Sequence, residues 1–251
     1  MFRIVAHRGV TAAAPENTMA AFARAALLGV DAVELDVRLT SDRRLAVYHY
    51  YYLDGFTTGA GPIFAHTAGD LESLRVVDRD RGVDHRIPML EEVLDRFAGR
   101  LGLEIELKGP EPEAAASVAK LLSSVRSHWD RIEITSFEPA LLTTVRAVCR
   151  DHDIALLLPP SEAWMRSDVV AHAALQRARL AQAQAVHLHP VQINEEVVAT
   201  IRAGGVNVHA HGVNDERSRE LAVALDLPWI CTDEPESALD FRRRAGGARA
   251  S

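Results

Sequence analysis

Short apolar runs alternate with amphipathic segments along most of this 251-residue chain. Alternating strands and helices predict parallel β-strands, because parallel neighbours must be joined by a long, usually helical, crossover. Counting the runs gives eight strands, and eight strands in about 250 residues are typical of an α/β (β/α)8 TIM barrel. The predicted strands are Arg3–Ala6, Asp31–Val37, Leu101–Leu107, Ile132–Ser136, Ile154–Leu158, Ala185–His189, Val206–Ala210 and Pro228–Thr232, and helices are predicted at Met19–Leu28, Leu90–Phe97 and Pro112–Arg126.

A ninth run, Leu45–His49, lies outside this count. It follows the second strand across a tight turn at 40–43, which is too short for a parallel crossover, so we expect an antiparallel hairpin above the barrel mouth. Residues 50–89 then form an insertion after the second strand, and a connection of that length is usually functional. We predict one domain over 1–240 and a disordered tail over 241–251, because the tail lacks apolar periodicity.

Composition narrows the class of protein. Hydrophobic residues at 48% and charged residues at 25% are ordinary for a soluble globular domain. A net charge of −7 without a basic stripe argues against nucleic acid as a partner. No apolar run approaches the roughly 18 residues of a membrane span, and two cysteines are too few for a disulfide framework. We therefore expect a cytoplasmic protein without a membrane span, whose oligomeric state the sequence leaves open.

Acidic and histidine residues follow the predicted strands at the end where α/β barrels gather their chemistry. Glu34 and Asp36 are two residues apart, so their side chains face the same side of one strand. Two adjacent carboxylates repel each other unless a cation lies between them, and a third carboxylate, Glu106, follows on the next barrel strand. Three oxygen ligands suit one hard divalent cation. The alternative is a salt-bridge network with Arg8 or Lys108 and no metal.

These strand-end residues belong to motifs that, taken in order, resemble the glycerophosphodiester phosphodiesterase family. The motifs are AHRGVTAAAPENT at 6–18, ELDVRLTSD at 34–42, His49 and EIELK at 104–108, with shorter similarities at 135–137, 212–215 and 231–233. The resemblance extends from the first strand to about Glu236. It implies hydrolysis of a small glycerophosphodiester to glycerol 3-phosphate and an alcohol, dependent on one divalent cation, Mg²⁺ or Ca²⁺, with Mn²⁺ as a further option.

The resemblance also implies residue roles. Glu34, Asp36 and Glu106 match the family's metal ligands, and Glu106 is preferred over Glu104 because the matching carboxylate lies two residues before the lysine. Histidine is suited to proton transfer near neutral pH. By the same resemblance His7 and His49 are the catalytic acid and base, in an order that the sequence does not reveal.

Two cationic residues, Arg8 and Lys108, are expected to bind the phosphate. Lys108 is one of only two lysines against 26 arginines, which indicates that a compact ammonium is needed at this position. Arg8 has a second interpretation as a structural partner of Glu16.

The sequence departs from the family pattern at two positions. Tyr50 stands where an aspartate commonly follows the second histidine, and His211 stands where a tryptophan is common. We predict that both contact substrate. His211 belongs to one of two pairs of alternate histidines, 187/189 and 209/211. These pairs are interpreted either as core or rim residues or as an additional zinc-like site.

All four tyrosines lie at positions 48, 50, 51 and 52. Strand alternation predicts that Tyr48, Tyr50 and Tyr52 share one face and that Tyr51 lies on the other. Rings overhanging the pocket would attract a quaternary ammonium such as choline, which makes Tyr50 and Tyr52 candidate substrate-binding residues. The other interpretation is that the rings pack the hairpin onto the insertion.

Three other functions remain open from sequence alone. A lysophospholipase D would need an apolar rim, which Phe56, Ile63 and Phe64 could supply. A phospholipase that forms a cyclic phosphate would use the same acid and base. A catalytically silent phosphate-binding module is the alternative from another class, although binding alone needs no pair of histidines.

Overall fold

Eight parallel strands form a closed barrel in the computed structural model, which describes residues 2–78 and 85–248. The first strand pairs in parallel with both the second and the last strand in the chain, so the parallel strands close into a barrel and none of them is a free edge. The predicted (β/α)8 TIM barrel is therefore confirmed, with strand bounds within two residues of those expected. The barrel strands are β1 (Arg3–Ala6), β2 (Ala32–Leu39), β4 (Gly102–Leu107), β5 (Ile132–Ser136), β6 (Ile154–Leu157), β7 (Ala185–Leu188), β8 (Asn207–Ala210) and β9 (Trp229–Thr232).

Helices surround the barrel and bury its outer face. The main apolar core, which includes Phe22, Leu103 and Ile134, lies between the sheet and these helices. The barrel interior is more polar, and its apolar part is a small cluster of Val5, Ala32, Trp229 and Cys231. The helices are α1 (Met19–Leu28), α2 (Ala68–Glu72), α3 (Leu90–Phe97), α4 (Pro112–Leu122), α5 (Pro139–Val148), α6 (Ser167–Ala181), α7 (Glu195–Ala203), α8 (Glu216–Ala224) and α9 (Pro235–Ala248).

The helix predicted at Pro112–Arg126 is shorter than expected. α4 ends at Leu122, and tighter 3₁₀ turns continue over Ser123–Arg131. The hydroxyls of Ser123 and Ser124 donate to the carbonyls of Lys120 and Leu121 at 2.6 and 2.7 Å. Serine hydroxyls that take backbone carbonyls in this way compete with the helical hydrogen bonds, which explains why the α-helix stops here.

The predicted hairpin lies next to β2. Strand β3 (Leu45–Val47) runs antiparallel to β2, with Val37 opposite Val47 and Leu39 opposite Leu45. The insertion that follows has a core of its own, in which Leu53, Ile63 and Leu71 are buried. Part of the predicted insertion, 79–84, lies outside the described residues.

The tail prediction is wrong for residues 241–248, because α9 continues to Ala248. Phe241 is buried and its ring stacks on Phe2, while Arg242 pairs with Asp31. These contacts join the last helix to the first strand, and no periodicity within the tail itself could reveal them. Residues 249–251 lie outside the described residues. None of the helices described has the length and apolar character required to span a bilayer.

Candidate active site

Three carboxylates meet at the carboxyl-terminal end of the barrel strands. Glu34 and Asp36 project from β2 into the barrel, and Glu106 projects from β4, where it pairs in register with Asp36. All three residues are buried, and one ligand oxygen from each lies within 4.8 Å of the others. Glu106, and not Glu104, joins this group. Glu104 lies two residues earlier on β4, deeper in the barrel, where it contacts His187 and Trp229.

This carboxylate group has unsatisfied oxygens that fit a cation. Glu34 Oε1 and Asp36 Oδ1 are buried without a hydrogen-bond partner among the described residues. Burial and the neighbouring Asp36 raise the pKa of Glu34 well above its ordinary value, and the same two causes raise the pKa of Glu106 to about 7. Buried carboxylates that are held so close together need a proton or a cation between them. Oxygen-only ligands suit a hard divalent ion.

Asp36 differs from the other two carboxylates in having several partners. It lies 3.2 Å from Arg8 Nε and 3.5 Å from Lys108 Nζ, and it accepts a hydrogen bond from Asn17 Nδ2 at 2.7 Å. Burial alone would raise the pKa of Asp36, but the charges of Arg8 and Lys108 lower it below its ordinary value. Asp36 is therefore ionised at neutral pH.

Arg8 has both of the contacts that the sequence left open. Its guanidinium reaches Glu16 at 2.9 Å as well as Asp36, so the structural and phosphate-binding interpretations do not exclude each other. The residue is held by a turn after β1 in which Arg8 has φ +55° and its amide donates to Glu34. Gly9 follows with φ +90°, and a Cβ there would lie 2.7 Å from Ala21 Cβ. Only glycine permits this close approach of the turn to α1.

Lys108 lies directly after β4. Its ammonium is 2.8 Å from Glu106 Oε1, and its side chain is largely buried. The two predicted phosphate-binding residues, Arg8 and Lys108, thus lie beside the carboxylates. The same carboxylates could therefore form a salt-bridge network or hold a metal ion.

His7 is oriented by a carboxylate that sequence reasoning missed. Asp233, just after β9, lies 2.6 Å from His7 Nδ1, and the hydrogen bond with His7 is the main cause that lowers the pKa of Asp233. Asn214 fixes Asp233 in turn, donating to its Oδ2 at 2.6 Å. With Nδ1 engaged, His7 Nε2 faces the carboxylates, 3.9 Å from Glu34 Oε2. The motif at 231–233 was the available signal for Asp233.

His49 lies on the other side of the site, beyond β3. Its Nδ1 is buried without a hydrogen-bond partner among the described residues, and its backbone carbonyl accepts from Arg38 Nε at 2.8 Å. Burial lowers the pKa of His49 to about 4, against the attraction of Asp36. The ring is therefore neutral at pH 7.

The tyrosines follow the predicted strand alternation only in part. Tyr50 contacts Tyr48 and stacks on Phe56 with ring centroids 3.5 Å apart, whereas Tyr52 contacts Tyr51 at 5.4 Å. Of the three rings that strand alternation places on one face, Tyr48 and Tyr50 are in contact and pack on the core of the insertion. Tyr52 departs from this arrangement, because β3 ends at Val47 and the two-residue period ends with it. Tyr50 lines a cleft of about 370 Å³ beside Glu16, and Tyr52 is not among the residues that line it.

Two histidines lie on β7 and β8, and two lie directly after these strands. Together they form an upper and a lower layer inside the barrel. His211 lies in the upper layer beside His189, with ring centroids 5.7 Å apart, and its Nε2 is 3.0 Å from the carbonyl of Leu158. Burial lowers the pKa of His211 to about 4, so Nε2 is the protonated nitrogen of a neutral ring that donates to that carbonyl. His187 and His209 lie in the lower layer, deeper in the barrel.

The fold and the site together define a TIM-barrel enzyme whose polar groups converge at the carboxyl ends of the strands. Comparison with known proteins identifies the family. The model of the glycerophosphoryl diester phosphodiesterase family matches residues 7–237, so the chain belongs to this family and is a phosphoric diester hydrolase.

Individual relatives agree with this assignment. The chain is 30% identical to the glycerophosphodiester phosphodiesterase of Caldanaerobacter subterraneus subsp. tengcongensis, over 97% of this chain and 98% of the relative. The crystal structure of glycerophosphodiester phosphodiesterase from Agrobacterium tumefaciens is similar, with a TM-score of 0.79 and 27% identity over 94% of this chain and 98% of that one. An Oleispira antarctica phosphodiesterase, solved in complex with the product sn-glycerol-3-phosphate, has a TM-score of 0.80 and 25% identity, covering 96% of both chains.

Proposed function

We propose that this protein hydrolyses glycerophosphodiesters to glycerol 3-phosphate and an alcohol, with His7 and His49 as acid and base beside a divalent cation. The observation that carries the proposal is the convergence of three buried carboxylates, two cationic side chains and two histidines at the barrel mouth. A relative of similar fold was solved with the product sn-glycerol-3-phosphate, which supports the same substrate class here.

Glu34, Asp36 and Glu106 would hold the cation, which is Mg²⁺ or Ca²⁺ with Mn²⁺ as a further option. Glu34 Oε1 and Asp36 Oδ1, which accept no hydrogen bond from the described residues, support this assignment, since oxygen ligands are what these ions prefer. Such an ion, when bound, supplies charge that stabilises a developing negative phosphate. Arg8 and Lys108 add positive charge on the same side and orient the non-bridging oxygens.

The surroundings of the two histidines support different roles. Asp233 is ionised and hydrogen-bonded to His7, which stabilises an imidazolium, so His7 is the proton donor to the departing alcohol. His49 is neutral among Arg8, Lys108 and Arg38, so it accepts a proton from the attacking water or from the glycerol 2-hydroxyl. A carboxylate beside one histidine and cationic side chains around the other are the surroundings expected of an acid and a base, respectively.

The headgroup of the substrate is expected to occupy the cleft beside Glu16. Tyr48, Tyr50 and Phe56 line it, and ring faces near a carboxylate attract a quaternary ammonium. We therefore propose Tyr50 as a residue that contacts a choline headgroup. Tyr52 is left out of this proposal because it contacts Tyr51 instead. His211 lies at the mouth, where its ring could contact the glycerol moiety.

Product analysis tests the proposal. Glycerophosphocholine, glycerophosphoethanolamine, lysophosphatidylcholine and an aryl phosphodiester are incubated with the enzyme, each with and without chelator. We expect glycerol 3-phosphate from the first two substrates, loss of turnover in chelator, and weaker cation binding in Glu34→Gln and Asp36→Asn. The exposed Glu220→Gln serves as the matched control. Accumulation of a cyclic phosphate, or turnover of lysophosphatidylcholine alone, would favour the alternative activities, and full activity in excess chelator would exclude the cation.

A further inference from the structure

A second group of ligating side chains lies inside the barrel, below the carboxylate site. Its members are Glu133 on β5, His187 on β7 and His209 on β8, and one ligand atom from each lies within 4.8 Å of the others. His187 and His209 are direct neighbours in the strand register. Glu104, which faces this layer, precedes Glu106 by two residues, so the two layers are about 6.6 Å apart along the strand.

The three side chains already form a compact triangle. His187 Nε2 lies 2.9 Å from Glu133 Oε2 and 3.1 Å from His209 Nδ1, and His209 Nδ1 lies 3.4 Å from Glu133 Oε1. Ligands of a tetrahedral Zn²⁺ at about 2.0–2.2 Å from the ion are about 3.3–3.6 Å apart. Shifts of a few tenths of an ångström would therefore open the triangle around an ion.

Protons alone satisfy this arrangement poorly. His187 Nε2 and His209 Nδ1 both face the carboxylate of Glu133 and lie only 3.1 Å apart. If both nitrogens carry a proton and donate to Glu133, the two N–H groups are crowded against each other, and if one lacks its proton, one contact with Glu133 is lost. A cation in the centre of the triangle is attracted to all three lone pairs at once.

The charge of the layer also calls for a cation. Glu104 and Glu133 are both buried, and the ion pairs described for them are with His187 and His209 only. Two buried carboxylates that face only imidazole rings in these ion pairs leave the layer in need of positive charge. Either an imidazolium or a metal ion can supply it.

Glu104 is placed to support a metal-bound histidine. Its Oε1 lies 3.5 Å from His187 Nδ1, a nitrogen with no hydrogen-bond partner among the described residues, and Trp229 Nε1 donates to its Oε2 at 3.0 Å. Metal-bound histidines usually donate their other N–H to a carboxylate or carbonyl, which fixes the ring and makes it a better ligand. A small rotation of His187 completes this contact.

A route for an ion exists at the opposite end of the barrel from the catalytic site. A cavity of about 330 Å³ is lined by Glu133 and His209 together with the first residues of several strands, among them Arg3, Ala185 and Trp229. It therefore opens at the amino-terminal end of the barrel. Residues at that end of a TIM barrel generally serve stability and not catalysis.

We propose that Glu133, His187 and His209 bind one Zn²⁺-class ion, with a water as the fourth ligand on the cavity side. Two imidazoles and one carboxylate suit a borderline transition metal, whereas the oxygen-only catalytic group suits Mg²⁺ or Ca²⁺. Coordination requires both imidazole rings in their neutral form and Glu133 as a carboxylate. The ion would join β5, β7 and β8 and stabilise the barrel independently of the catalytic cation.

Zinc binding by the full-length protein tests this proposal. Chelator-stripped protein is dialysed against Zn²⁺ in a large excess of Mg²⁺, and bound metal is measured by mass spectrometry. We expect one Zn²⁺ per chain, a melting temperature that rises with Zn²⁺ concentration, and at least about tenfold weaker binding in His209→Gln and Glu133→Gln. His189→Gln, just after the strand that contains His187, and Asp36→Asn, in the catalytic group, should still bind Zn²⁺.

X-ray absorption at the zinc edge of the wild-type protein gives a readout that needs no variant, and it should show two imidazole ligands. Absence of retained Zn²⁺ would mean that the layer is an ion-pair network held by protons. Zn²⁺ that is lost in Asp36→Asn but kept in His209→Gln would belong to the catalytic carboxylates. Either result would overturn the proposal.

Discussion

The three carboxylates of the proposed catalytic site are chemically unequal, although the motif pattern treats them alike. Asp36 has Arg8, Asn17 and Lys108 as partners, and it is ionised without help from a metal. Glu34 and Glu106 have raised pKa values because burial and Asp36 oppose their charge. Asp36 is therefore the fixed negative charge of the site, and the other two carboxylates gain most from a bound cation.

The histidines give the sharpest prediction at the scale of single residues. Because His7 and His49 are proposed to act as a pair, His7→Ala or His49→Ala should each lower kcat by at least about 100-fold, and the double variant should lose little more. Steady-state kinetics on glycerophosphocholine measures this, with His189→Gln as a control. The pH profile of the wild-type enzyme should be bell-shaped. A near-native rate in His49→Ala would remove the hairpin from the mechanism.

At the scale of elements, the hairpin and its insertion determine which rings reach the substrate. Once the chain leaves β3 at Val47, its side chains are directed by contacts within the insertion, and the tyrosines divide into two groups. Tyr50 faces the cleft beside Glu16, whereas Tyr52 packs on Tyr51. The two residues therefore form a matched pair for experiment.

Tyr50→Leu should lower kcat/KM for glycerophosphocholine by about 2- to 30-fold relative to glycerophosphoethanolamine, the equivalent of about 0.5–2 kcal/mol for one cation–π contact. Tyr52→Leu should leave the ratio of the two specificity constants unchanged. Competition between the two substrates in one reaction measures this ratio directly. If Tyr50→Leu changes both constants equally, its ring serves only to pack the hairpin.

The loop between α5 and β6 contains a buried histidine that makes stability depend on pH. His152 stacks on Trp129, and neither ring nitrogen has a hydrogen-bond partner among the described residues. Burial lowers the pKa of His152 to about 4 in the folded protein, below the value of about 6.5 for an unfolded chain. The unfolded state therefore binds the proton first as the pH falls.

This difference predicts a loss of stability between about pH 6.5 and pH 4, on the order of 2–3 kcal/mol, with full stability above that range. His152→Phe keeps the stacking on Trp129 and should lose less stability than the wild type over the same interval. Urea unfolding at pH 7 and pH 5 gives the change in the free energy of unfolding for each protein. Other titrating groups contribute equally to both changes, so the difference between them reports on His152. Parallel pH profiles for the two proteins would exclude this role of His152.

At the scale of the whole molecule, α9 joins the two ends of the chain. Its Phe241 stacks on Phe2, and its Arg242 pairs with Asp31, whose carboxylate also accepts from the amide of Ile4. The last helix thus holds the first barrel strand, which pairs with both β2 and β9. Residues that the sequence pattern assigns to a disordered tail therefore contact the start of the first barrel strand, and we expect them to stabilise the closed barrel.

Phe241→Ala should therefore lower the free energy of unfolding by about 3–5 kcal/mol, as expected for removing a buried aromatic side chain. Arg243→Ala, on the same helix, removes only an exposed ion pair with Asp240 and should cost less than about 1 kcal/mol. Chemical denaturation of the two variants tests this. Equal stabilities would show that α9 does not contribute to barrel closure.

Much of the fold could be predicted from local sequence. The eight strands and the hairpin follow from apolar runs, a short turn and the two-residue period, which act within a few neighbouring residues. α4 was predicted too long because the competing hydroxyls of Ser123 and Ser124 act against an otherwise helical pattern. The tail was predicted wrongly because its order comes from Phe2 and Asp31, at the opposite end of the chain.

The barrel, the family and the residues at the strand ends could all be predicted from the sequence, because spacing along one strand fixes that Glu34 and Asp36 face the same side. Contacts between residues far apart in the chain could not be predicted in this way, since they depend on how the strands come together in the fold. The contact between His7 and Asp233 joins residues 226 positions apart, and the layer of Glu133, His187 and His209 depends on the register of three strands. Such contacts exist only once the sheet has closed, and no local period in the sequence encodes that closure.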